Sequence, residues 1–151
     1  MGTVSGLEEL KQQAGKEWGV GEWMEITQER VNQFADATDD HQWIHVDVER
    51  AKQGPFGGPI AHGFLTLSLV LLLARGTSPR VDGIRMAVNY GLNRVRFPAP
   101  VHVGKRIRAH VKNLSIEDVP GGVQVTNQIT VEIEGEDKPA CVAETIGRYY
   151  T

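Results

Sequence analysis

The stretch Phe64 to Ala74 limits what this chain can fold into more than any other. It contains only two polar residues, Thr66 and Ser68. Gly76 follows as a stop, and Pro79 bars continuation. A helix apolar on nearly all sides must be covered on nearly all sides, so the spacing predicts a central helix over Phe64–Ala74 with the rest of the chain packed round it. The run is far shorter than the roughly 20 residues a membrane span needs.

After Pro79 the hydrophobic period changes from helical to two. Ile84, Met86, Val88 and Tyr90 alternate with Arg85, Ala87 and Asn89. Ile107, Ala109 and Val111 alternate with Arg106, Arg108 and His110, and Val123, Val125, Ile129, Val131 and Ile133 share one parity. Residues 139–150 read as a last strand. Turn signals separate the runs at Pro98-Ala99-Pro100, Gly104, Pro120-Gly121-Gly122 and Gly135-Glu136-Asp137. Alternation of this kind marks antiparallel strands with one solvated face.

Before the central helix the pattern is mixed. Leu7, Leu10 and Ala14 predict a short helix over residues 5–15, ended by Gly19 and Gly21. Glu22 to Ile26 alternates as a short strand. Thr27 is placed to cap an amphipathic helix carrying Val31, Phe34, Ala35 and Thr38, and Asp47 to cap a further turn. Gly54 to Pro59 is a loop.

One buried helix followed by four or five long antiparallel strands predicts an α+β chain, a single domain over residues 1–151, in which a curved sheet wraps the helix: the hot-dog fold. The open edges of such a sheet predict a homodimer.

Composition sets the outer bounds. With 151 residues, 40% hydrophobic and 23% charged, the chain is an ordinary globular one with enough length for one core. A net charge of −3 gives no footprint for nucleic acid or an anionic membrane. The single cysteine, Cys141, excludes an internal disulfide and a cysteine-based zinc site. The N-terminal residues show no signal-peptide pattern, so the expectation is a cytoplasmic protein.

The polar residues worth weighing precede or open the central helix. Asp40 and His45 stand five apart around Trp43 and Ile44. A carboxylate beside an imidazole can hold a water, take its proton and return one elsewhere. The plain alternative is a capping aspartate and a satisfied loop histidine. His62 and Gly63 open the helix, where free amides and the positive dipole end make an oxyanion site that glycine lets a ligand approach. Ser68 faces either the same cavity or its own helix carbonyl. His41, His45, His62 and Asp40 raise the question of a metal, but no motif fixes a tetrahedral set, and none is expected. Arg94, Arg96 and Lys105 belong to a locally basic stretch that is either a solvated strand face or a phosphate-docking site.

These residues together resemble a known family. Asp40…His45 followed by Gly58-Pro59-Ile60-Ala61-His62-Gly63 is similar to the hydratase-2 motif of MaoC-like dehydratases, the (R)-specific 2-enoyl-CoA hydratases. The stretches FADATDDHQWIHVD, GPIAHGFLTLSL and NYGLNRVRFPAPV resemble the nodulation-protein-N-like branch, which includes actinobacterial 3-hydroxyacyl-thioester dehydratases. The resemblance runs from about Val31 to the C-terminus. It implies reversible syn hydration of a trans-2-enoyl thioester in fatty acid metabolism. Asp40 and His45 would be the catalytic pair, and Gly63, Ser68 and His62 would orient the thioester. Arg94, Arg96 and Lys105 would meet coenzyme A. The implied partner is an acyl-CoA or acyl-carrier-protein thioester, with coenzyme A only as part of the substrate and no metal or redox cofactor. A hot-dog acyl-thioesterase and a non-catalytic thioester-binding subunit are the rival readings. The family's loop is Asp-x-Asn-Pro-x-His; here Gln42 and Trp43 stand for Asn and Pro, so Trp43 either narrows the cavity mouth or merely packs.

Overall fold

The computed structural model describes residues 2–151. A short strand β1 (Thr3–Val4) leads into helix α1 (Leu7–Lys11), then strands β2 (Glu17–Val20) and β3 (Met24–Glu25). Helices α2 (Gln28–Thr38), α3 (Trp43–Val46), α4 (Val48–Lys52) and α5 (Gly63–Leu73) follow. Strand β4 (Arg80–Val81) precedes four long strands: β5 (Met86–Arg96), β6 (Arg106–Val119), β7 (Gly122–Ile133) and β8 (Cys141–Tyr150). The main sheet has the order β2-β6-β7-β8-β5, with β3 beside β2 on the same edge of β6. All its pairs are antiparallel, as the alternation requires. β1 and β4 form a separate parallel pair.

The alternating residues fill the concave face. Ile107, Ala109 and Val111 of β6 and Val123, Val125, Ile129, Val131 and Ile133 of β7 are all buried, together with Leu65, Leu69, Val70 and Leu73 of α5. Each large aliphatic side chain so removed from water contributes about 1.5–3 kcal/mol. Cys141 belongs to this core, and burial pushes its thiol up to about 11, far from a reactive thiolate. The β6–β7 hairpin turns at Pro120 and Gly121, where glycine takes a φ of 81° that side chains resist.

Three expectations are corrected. First, α5 is not buried all round. The single chain covers one side of it and leaves a stripe with Phe64 68% and Leu71 53% exposed, because the sheet curls past only one face of the helix. Second, Glu17–Val20 is a strand rather than a break after α1. It pairs with β6 through an irregular register at Gly19 and buries Trp18, so tertiary pairing overrides the local glycine signal. Third, α1 stops at Lys11 and the first long strand starts at Met86, each shorter than its periodicity suggests.

Among the described residues no helix is long and apolar enough to cross a membrane.

Gly21, just past β2, lies close against the end of α5. A Cβ there would lie 1.8 Å from the Leu73 carbonyl oxygen. Gly21→Ala is therefore expected to destabilise the fold by about 1–3 kcal/mol or more through forced backbone movement. Gly58→Ala, with nothing within 4 Å of its Cβ, should stay within about 0.5 kcal/mol of the parent. Urea unfolding of both variants measures the difference.

Candidate active site

The site forms where α2, α3 and the start of α5 meet. α2 is capped by the Thr27 hydroxyl, which accepts the Arg30 N–H at 3.2 Å, and it buries Val31 and Ala35. It ends because Asp39 takes a left-handed φ of 58°, a conformation aspartate tolerates better than most residues. That reversal delivers Asp40 to the mouth of the site, with its side chain about half exposed.

α3 presents His45 inward. Its Nδ1–H donates to the Ile60 carbonyl at 2.7 Å, since a carbonyl can only accept. The tautomer is thereby fixed, and Nε2 carries the free lone pair. The Gln28 amide donates to the His45 carbonyl at 2.8 Å and ties α3 to α2. His45 is 7% exposed, and burial is the main cause that depresses its pKa below the ordinary histidine value; the neighbouring His62 adds to that effect. A neutral imidazole with an open lone pair is a base ready to take a proton.

Trp43 does not narrow the cavity mouth. Its ring packs on the backbone of Gly54, where a Cβ would come within 2.8 Å of it, and the Arg50 guanidinium lies 4.3 Å above it. This stack anchors the loop between α3 and α4 to the residues that follow it. His41, next to Asp40, faces outward instead and pairs with Asp36 at 2.8 Å. That hydrogen bond holds its pKa above the ordinary value.

His62 lies behind the pair rather than over a substrate. It is 3% exposed, and its Nε2–H donates to the Asp40 backbone carbonyl at 2.9 Å. Its ring stacks on His45 with centroids 3.8 Å apart and meets Phe34 in a tilted contact at 4.9 Å. His62 thus holds both members of the pair in place, a positioning role instead of the substrate contact expected from its place beside Gly63. Its Nδ1 is buried and makes no hydrogen bond among the described residues.

Asp40, His45 and His62 offer polar atoms within 4.8 Å of one another. One water molecule spans such a gap between carboxylate and imidazole. A metal ion suits it less well. The two imidazoles are stacked at 22°, so their in-plane lone pairs run in near-parallel planes instead of converging.

Gly63 opens α5, and its amide has no partner within its own helix by the geometry of helix termini. A Cβ at Gly63 would sit 3.1 Å from the Phe97 ring, so a side chain there would crowd that ring. Ser68 is one turn further along. Its hydroxyl donates to the Phe64 carbonyl at 2.7 Å, and it lines an open trough beside α5. Arg94 and Arg96 lie near the end of β5, just before Phe97, and the Arg96 guanidinium donates to the Val95 carbonyl at 2.7 Å. Lys105 stands beside Glu134 at the start of β6. Arg106 and Arg108 of the same basic stretch are occupied by Glu134 and Glu132 across the β6–β7 ladder, which explains that part of the charge as strand-to-strand pairing.

The family profile described as "MaoC like domain" matches residues 9–134. The chain is 55% identical over 150 residues to 3-hydroxyacyl-thioester dehydratase Z of Mycobacterium tuberculosis, covering 99% of each chain. It is 44% identical over 142 residues to Nodulation protein N of Rhizobium leguminosarum, covering 93% of this chain and 88% of that one. The solved structure of the (R)-hydratase from A. caviae involved in PHA biosynthesis superposes with a TM-score of 0.68 at 26% identity, over 85% of this chain and 94% of that one.

The depressed pKa of His45 has a consequence for folding. The unfolded chain takes up the proton first, so this residue's share of stability is fully present above the ordinary value of about 6.5 and is lost as pH falls below it toward the folded pKa. Denaturation between pH 7.5 and 5.5 should show a loss of stability that His45→Gln reduces. An NMR titration should place the His45 imidazole below, and that of His41 above, the ordinary value.

Proposed function

On the footing that this chain belongs to the MaoC-like dehydratase family, we propose that it adds water reversibly to trans-2-enoyl thioesters and releases (R)-3-hydroxyacyl thioesters. The observation that carries this reading is the tautomer-fixed His45 with a ring nitrogen within 4.8 Å of the Asp40 carboxylate, beside the start of α5.

The steps follow from that geometry. The thioester carbonyl accepts a hydrogen bond from the Gly63 amide, which with the positive end of α5 withdraws charge and leaves the β-carbon electrophilic. Asp40 and His45 hold the water over that carbon. The His45 Nε2 takes a proton as the water oxygen bonds to the β-carbon, and the π electrons move toward the carbonyl as an enolate. His45, now an imidazolium stabilised by Asp40, returns the proton to the α-carbon. Both new bonds form on the face where the pair sits, which is syn addition. Dehydration is the same path reversed.

Water addition causes no net redox change, so no redox cofactor is needed, and we assign no metal. Coenzyme A or a carrier-protein arm enters as part of the substrate. Arg94 and Arg96, near the end of β5, and Lys105, just before β6, are the basic residues suited to its phosphates. Such thioesters belong to cytoplasmic fatty acid metabolism, and we place the protein there.

A homodimer is part of the same reading. β5 is an edge strand, and Met86, Val88, Tyr90 and Leu92 along it are exposed, as is the α5 stripe beside it. A long apolar edge of this kind is a template for a second copy. Light scattering should give twice the chain mass, and Met86→Lys with Val88→Lys should shift it toward the single chain.

The reaction is tested by hydration of trans-2-butenoyl-CoA, followed as loss of the enoyl-thioester absorbance with analysis of product chirality. The expected product is (R), and Asp40→Asn and His45→Gln should each lower kcat by about 10²–10⁴-fold while the proteins stay folded. Free thiol without hydration would instead indicate a thioesterase.

A further inference from the structure

Beside the exposed stripe of α5 lies a trough of about 570 Å³, floored by β7 and β8 and closed on its far side by the edge strand β5. Its walls are mostly apolar, with Leu67, Leu71 and Leu92 prominent beside Ser68 and Asn89. Its floor carries a polar row. On β7 the core-facing parity runs Val123, Val125, Asn127, Ile129, and Asn127 breaks it. In register with Asn127 stand Asn113 on β6 and Thr145 on β8, so a polar row crosses an otherwise aliphatic concave face.

The row is oriented. Asn113 is fully buried and fully used: its Oδ1 accepts the Gly15 N–H at 3.2 Å, and its Nδ2 donates to the Thr126 carbonyl at 3.2 Å and to Asn127 Oδ1 at 2.8 Å. The Asn127 oxygen is therefore turned toward Asn113, and its NH₂ group is the end left for the trough that Asn127 and Thr145 line. An amide and a hydroxyl at core-facing positions cost free energy when an alkyl chain covers them and nothing bonds them.

We propose that this trough receives an acyl chain bearing a neutral oxygen function, a hydroxyl or a ketone, which accepts a hydrogen bond from Asn127 and pairs with the Thr145 hydroxyl. The inference rests on the dehydratase reading, which puts the thioester carbonyl at Gly63. The trough-lining α5 residues Leu67 to Leu71 lie roughly 6–12 Å further along the helix at 1.5 Å per residue. The oxygen recognised is thus well down a medium-length chain and distinct from the hydroxyl the reaction makes. Asn127 and Thr145 are specificity residues of this chain, acting on which thioester is accepted.

The test compares trans-2-octenoyl-CoA with its 8-hydroxy and 7-oxo derivatives, using the full-length protein. The expected result is a kcat/KM for an oxygenated chain about tenfold above the plain chain, the value of one good hydrogen bond to a buried donor. Thr145→Val, which preserves shape, and Asn127→Val should each bring that ratio toward one. Should Asn127→Val fail to fold, Thr145→Val carries the comparison alone. Equal or better use of the plain chain by the wild type, or a ratio that neither variant moves, overturns the proposal. So does rejection of every chain longer than four carbons, the sign that a second copy's side chains fill the trough. Turnover of trans-2-butenoyl-CoA, whose chain ends short of the trough, reports on the dehydratase reading separately. If no thioester turns over, calorimetric binding of octanoyl-CoA against 8-hydroxyoctanoyl-CoA decides the question, and no difference in Kd overturns the inference.

Discussion

The burial of one face of α5 against the concave sheet is the constraint on which the rest depends. Leu65, Leu69, Val70 and Leu73 share one core with the aliphatic rows of the sheet, and that packing sets how the helix lies. The start of the helix is the end where the candidate residues gather. Gly63 leaves its amide open there, and the residues just before it, Ile60 and His62, hold the histidine and the carboxylate. A hydrophobic choice about a helix face thus becomes a geometric choice about a base.

The pair is held mostly through backbone atoms. The Ile60 carbonyl fixes the His45 tautomer, the Gln28 amide holds the His45 carbonyl, and His62 holds the Asp40 carbonyl. These bonds leave the His45 Nε2 free, while the Asp40 carboxylate accepts the Gln42 N–H at 3.4 Å. The stacked His62 ring removes water from one side of His45 and helps keep it neutral.

Much of this was legible in the residues. The change of period from helix to strand after Pro79 predicts the order of layers, and the caps at Thr27 and Asp47 stand where the side chains indicate. The five-residue spacing of Asp40 and His45 across Trp43 and Ile44 does bring both to one place. What sequence missed has physical causes. Composition says that α5 is apolar all round, but how far a sheet curls is a long-range property, so the open stripe at Phe64 and Leu71 was hidden. The strand at Glu17–Val20 depends on its partner β6 more than on its own glycines. The positioning role of His62 depends on a hydrogen bond to a residue 22 positions away, which no local pattern records. Asn127 left a trace, as the one polar residue in an aliphatic row of a single parity, and its meaning emerges only beside Asn113 and Thr145.

The central claim is that one pair of side chains, on one face of the substrate, both adds the water and delivers the proton. Hydration of a trans-2-enoyl-CoA in D₂O, with the relative configuration at the α- and β-carbons read by NMR, tests it most directly. The account predicts a single diastereomer with deuterium and hydroxyl on the same face. Addition to opposite faces, or a mixture of both, would contradict it, because the proton would then come from a group other than the pair at the start of α5.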